Sequence, residues 1–62
     1  MRIFINTEIM LALGFYWSGD IWVLKRDTRI GWKPDGTLIV GYHEWKEKVT
    51  DLAELLAILK EV

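Results

Sequence analysis

Between positions 22 and 33 the chain carries Trp22, Lys25, Arg26, Arg29, Trp32 and Lys33, four cations and two indoles within twelve residues. Aromatic faces interleaved with cations can stack a nucleobase and neutralise the phosphates attached to it. In this reading Trp32 stacks a base, while Lys25, Arg29 and Lys33 meet phosphate oxygens through charge-assisted hydrogen bonds. Trp17, Trp22, Tyr42 and His43 complete the candidate ligand-binding set. The plainer reading is that the tryptophans fill a core and the cations solvate turns. Burying all four tryptophans in so short a chain is hard, because each indole N–H also needs a partner. At least one indole is therefore expected at an interface or in a pocket.

Other chemistry finds little to work with. Nucleophilic catalysis needs a nucleophile, a base and an orienting group within reach. The chain has one Ser, one His and no Cys. Ser18 reads as a turn residue and His43 as a strand-end residue, so no catalytic residue is expected. The Asp and Glu residues fall mostly at turns and helix starts, where capping and solvation account for them. The five glycines are dispersed and form no phosphate loop, and no cofactor is expected. His43 has no partner at metal-ligand spacing, so no metal site is expected either.

These residues must be positioned by one small domain spanning residues 1–62. A chain of this length buries only about 60% of the surface its unfolded form exposes. Without cysteine it has no disulfide to compensate, which leaves a dense core or self-association. Hydrophobic residues are 52% of the chain and include four Trp, two Tyr and two Phe. Some of that apolar surface should stay exposed on a monomer and mark an interface. A net charge of −1 argues against a duplex DNA binder. The absence of cysteine suits a reducing cytosol. The apolar runs are too short to span a membrane, and the opening residues do not read as a signal peptide.

Arg2 to Ile5 reads as a first strand. Asn6 or Thr7 then caps a short helix over Glu8 to Leu13, which Gly14 ends. Phe15-Tyr16-Trp17 has strand propensity, and Ser18-Gly19-Asp20 turns the chain into a strand from Ile21 to Lys25. Lys33-Pro34-Asp35-Gly36 has the residues of a type I turn followed by a positive-φ glycine, which predicts a hairpin between 29–32 and 37–42. Along its second arm Leu38, Val40 and Tyr42 share one apolar face. Residues 43–48 fit a helical turn or a strand equally well.

Thr50 or Asp51 opens a last helix that runs to about Glu61, and Glu54 makes a capping box with Asp51. At 100° per residue Leu52, Leu55, Leu56 and Leu59 form one stripe, flanked by Ile58 and Val62, with Ala53 and Ala57 alongside. That surface is wider than one small sheet requires. It is either a core face with a few exposed aliphatics or a helix covered on two sides. The second option makes Leu52, Ala53, Leu56, Ala57 and Leu59 a homo-oligomer interface. The expected architecture is an α+β domain of order β-α-β-β-β-α, a small antiparallel sheet with the C-terminal helix packed on it.

The run Ala12-Leu13-Gly14-Phe15-Tyr16-Trp17-Ser18-Gly19-Asp20, preceded by a capped short helix, resembles a pattern in small phage proteins. There a helix ends in Leu-Gly-aromatic-x-Trp, a Ser-Gly turn and strands follow, and Thr opens a C-terminal helix. Val49-Thr50-Asp51-Leu52-Ala53-Glu54 fits that tail. This chain departs from the pattern in its shortness and in the irregular stretch 43–48. The resemblance implies a binding role in the host cytoplasm. The partner would be a nucleotide-like signal of host defence, sequestered by a homo-oligomer, or a host protein met through an aromatic surface.

Overall fold

The computed structural model describes residues Met1–Val62. Asn6 opens helix α1 (Thr7–Ala12): its side-chain oxygen accepts from the backbone N–H of Ile9 at 2.9 Å. Gly14, at φ 92°, ends the helix and turns the chain into strand β1 (Phe15–Trp17). Four more strands follow: β2 (Trp22–Leu24), β3 (Ile30–Trp32), β4 (Leu38–Val40) and β5 (His43–Glu44). They form one antiparallel sheet in the order β1-β2-β3-β4-β5, so each strand lies beside its neighbour in sequence. Helix α2 (Leu52–Glu61) closes the fold, and the α+β class with a C-terminal helix on an antiparallel sheet is the one that forms.

The β3–β4 hairpin has the predicted turn. Gly36 N–H donates to the Lys33 carbonyl at 2.9 Å, Lys33 N–H donates to the Thr37 carbonyl at 2.8 Å, and Gly36 sits at φ 98°. Asp35 adds a side-chain acceptor for Thr37 N–H at 2.9 Å. Its second arm is shorter than the expected 37–42, because Gly41 and Tyr42 turn the chain into β5. Tyr42 therefore leaves the apolar face and is fully exposed, at 100%. The ambiguous segment 43–48 resolves as the two-residue strand β5 followed by an irregular strap. The strap is pinned where Trp45 N–H donates to Leu38 O at 2.7 Å and Val49 N–H to Gly36 O at 2.8 Å.

Strand register divides the side chains between two faces. Trp17 lies opposite Trp22, Trp22 opposite Trp32, and Trp32 opposite Leu38. Phe15 with Leu24 and Ile30 with Val40 share that inner face. Tyr16, Val23, Gly31, Ile39 and Glu44 form the central row of the outer face. The core gathers Phe15, Trp22, Leu24, Ile30, Trp32 and Leu38 from the sheet, Met10 from α1, Val49 from the strap, and Leu55, Ile58 and Leu59 from α2. Each such aliphatic or aromatic side chain, once buried, stabilises the fold by roughly 1.5–3 kcal/mol.

Two expectations at the ends are corrected. Arg2–Ile5 is not a strand of the sheet. It makes one isolated bridge, Phe4 with Asp51, flanked by Ile5 N–H to Thr50 O at 2.9 Å and Leu52 N–H to Ile3 O at 2.8 Å. The segment lies beside the start of α2 and pairs with no strand of the sheet. The core stripe of α2 is also rotated from the expected one: Leu55, Ile58 and Leu59 are buried, Leu52 is half-buried and Leu56 is exposed. Asp51 caps α2 by accepting from Ala53 N–H at 3.4 Å. The reciprocal half of the capping box is missing, since Glu54 Oε1 is sealed from solvent without a hydrogen-bond partner.

Candidate functional site

The sheet separates the indole–cation cluster that sequence proximity brings together. Trp22 and Trp32 lie on the inner face and are 8% and 6% exposed. The ladder continues through Lys25 N–H to Gly14 O, Gly41 N–H to Arg29 O, and Lys33 N–H to Thr37 O. Strand alternation from Leu24, Ile30 and Trp32 then places Lys25, Arg29 and Lys33 on the opposite face. Trp32 is corrected as a base-stacking platform: its ring is in the core and its Nε1–H donates to the Val49 carbonyl at 2.7 Å. Arg29 is already engaged, donating from Nε to Asp27 Oδ1 at 3.0 Å and from Nη2 to Asp27 Oδ2 at 2.9 Å. That pairing draws the Asp27 carboxyl down to about 2, chiefly through the side-chain hydrogen bond from Arg29, and raises the Arg29 guanidinium. Lys25 is exposed, Lys33 is half-buried, and Tyr42 and His43 project from the β4–β5 end.

What the fold does bring together is Trp17 and Trp22. The four-residue connection Ser18–Ile21 pairs them across β1 and β2. Ser18 holds that turn, its backbone N–H and its hydroxyl both donating to the Ile21 carbonyl at 2.9 Å. The two rings stand 5.4 Å apart between centroids and tilt 57° to each other. Trp17 is 47% exposed, so one indole of the pair is presented to solvent and the other is the floor beneath it. With Thr7 at the start of α1 and Pro34 at the tip of the β3–β4 hairpin they line an open cleft of about 410 Å³. None of the four lining side chains is ionisable.

Thr7 and Pro34 are the residues that sequence reasoning missed. A signal for the Trp17–Trp22 pair was present, because a short turn between two apolar runs puts its flanking residues opposite each other. Nothing local brings α1 and a hairpin tip some 27 positions apart to the same end of the sheet.

A second apolar surface lies at the other end of the chain. Met1, Ile3, Leu52, Ala53 and Leu56, with Asp51, line a shallow recess of about 150 Å³. Ile3 and Leu56 are exposed there. Of the expected interface residues, Leu52, Ala53, Leu56 and Ala57 retain accessible surface. Leu59 does not, since it packs in the core against the sheet. No helix is long and apolar enough to cross a membrane, and no cluster of His, Cys, Asp and Glu has the arrangement of a metal site.

Comparison with protein-family models, with curated proteins and with solved structures found no match to this chain.

Proposed function

We propose that this chain is a small homo-oligomeric binding protein that acts without catalysis, as an inhibitor or adaptor of another protein. The observation that carries this reading is the half-exposed Trp17 ring set against the buried Trp22 in a cleft without charge. Tryptophan at a sheltered, largely desolvated position is the residue type that dominates binding energy at protein interfaces. The exposed Ile3 and Leu56 in the recess beside α2 support self-association through a separate surface. The resemblance to small phage proteins suits both parts.

The reading as a sequestering agent for a nucleotide-like anionic signal keeps one favourable feature, since Trp17 could stack a base. Its phosphate-binding cations lie on the other sheet face, and Arg29 is bound to Asp27, so the geometry favours a protein partner. Affinity capture with equal amounts of wild-type and Trp17→Ala bait tests the proposal. One stoichiometric protein retained by the wild type and lost by the variant is the expected result. Equal retention by both baits, or binding of a nucleotide with saturable heat in calorimetry, overturns it.

A further inference from the structure

We infer that the segment Arg2–Asn6 pairs antiparallel with the same segment of a second copy, about a two-fold axis at Phe4. This rests on the self-association reading above and names the backbone edge that performs it. Two bonds hold the segment to the start of α2, Ile5 N–H to Thr50 O at 2.9 Å and Leu52 N–H to Ile3 O at 2.8 Å. Alternate residues of an antiparallel bridge direct their peptide groups to opposite sides. Ile3 and Ile5 therefore bond toward α2, while Arg2, Phe4 and Asn6 present theirs outward. The N–H and C=O of Arg2 and Phe4, and the N–H of Asn6, take no partner within the chain. All three residues are exposed, and Phe4 is 63% so on the face opposite Ile5, which packs against the core.

The two sheet edges offer less. Lys25 N–H to Gly14 O and Ser18 N–H to Ile21 O fix the β1–β2 ladder, so Phe15 is among the residues whose peptide groups face the outer edge of β1. Phe15 is only 1% exposed, and that edge is sealed there. On β5, where Trp45 N–H bonds Leu38 O, Glu44 faces out, and its charge resists a further strand.

The register selects the occupant. Pairing about Phe4 sets Phe4 against the partner's Phe4, Ile3 against the partner's Ile5, and Arg2 against the partner's Asn6. The one charge on the edge thus never meets its like, and Arg2 is set toward the acidic first turn of the partner's α1, which carries Glu8. Phe4 N–H and C=O exchange bonds across the axis, flanked on each side by Asn6 N–H to Arg2 C=O. Ile3 also lines the recess beside α2, so the paired edge is continuous with the apolar surface there. A foreign strand would gain the backbone bonds without this match of side chains, and a two-fold contact makes each of them twice.

Amide exchange in the ¹⁵N-labelled full chain, at concentrations on either side of dimerisation as read by light scattering, tests the pairing. The Phe4 and Asn6 amides should exchange freely in the monomer and become protected as the dimer forms. Phe4→Pro deletes a donor the monomer does not use. It should leave the remaining spectrum folded and weaken dimerisation roughly thirtyfold, the worth of two hydrogen bonds. Phe4→Ala keeps the donor, loses the aromatic pair and should weaken it roughly threefold. The exchange measurement needs no variant and decides even where a variant fails to fold. A dimer whose Phe4 amide stays unprotected, and which Leu56→Glu but not Phe4→Pro dissociates, overturns the pairing and leaves self-association standing. A chain that remains monomeric at high micromolar concentration overturns both.

Discussion

The indole N–H of Trp32 donates to the Val49 carbonyl at 2.7 Å, and Val49 N–H donates in turn to the Gly36 carbonyl at 2.8 Å. A core residue of β3 thus fixes an irregular strap that has no strand partner of its own. Val49 is fully buried, so both of its backbone groups would otherwise be without partners. Trp32→Phe keeps most of the ring and removes the donor. It should cost about 1–3 kcal/mol, because a buried carbonyl is left unpaired. Urea unfolding should show a lower midpoint at unchanged slope, the sign of lost stability in an unaltered transition.

Gly36 is held at φ 98° under the strap, and a Cβ added there would lie 3.1 Å from Thr50 Cγ2. Gly36→Ala therefore meets both backbone strain and crowding, with an expected loss of about 1–3 kcal/mol. Pairing it with Thr50→Ser removes the crowding methyl and should recover only part of that loss. The unrecovered part measures the backbone strain. Full recovery would show that the positive φ costs nothing.

Asp27 has a depressed carboxyl, drawn down to about 2 by the hydrogen bonds from Arg29. A depressed acid stabilises the folded state above its unfolded value, near 3.9, and loses that effect as pH falls toward the folded value. Asp27→Asn should lower the melting temperature at pH 7. The gap to wild type should close between about pH 4 and pH 2. Asp35, held low mainly by the Thr37 backbone N–H, adds to the acid sensitivity of the wild type in the same direction. A gap that persists unchanged at pH 2 would disconnect Asp27 ionisation from stability.

Leu55 and Leu56 are adjacent on α2 and differ in environment, the first fully buried and the second 42% exposed. Leu56→Glu should leave the far-ultraviolet spectrum intact and shift light scattering toward the monomer mass. Leu55→Glu should unfold the chain, because it places an unpaired charge in the core. A wild-type chain that is strictly monomeric at high micromolar concentration would remove the basis for an oligomer.

Local physics made some elements legible in the sequence. The Lys33–Gly36 turn, the Asn6 cap and the Asp51 cap each rest on side chains that bond their own backbone, so neighbours sufficed to find them. The sense in which α2 meets the sheet was different. Two apolar stripes compete on that helix, and only the sheet decides that Ile58 goes inside and Leu56 stays out. Arg2–Ile5 has the composition of a strand, but its partner, the start of α2, lies more than 40 residues away. The indole–cation cluster failed through parity: residues close in sequence but separated by an odd number point to opposite faces of a strand.

A sheet whose strands pair only with sequence neighbours has a consequence for how the chain reaches this state. Each hairpin closes a short loop, so most of the sheet has low contact order and can assemble rapidly from local pieces. The long-range closures are few: the Trp32–Val49 bond, the packing of α2, and the clasp of Ile3 and Ile5 onto Leu52 and Thr50. These carry the larger loop entropy and should form last, so the two ends of the chain lock onto a meander that is already built.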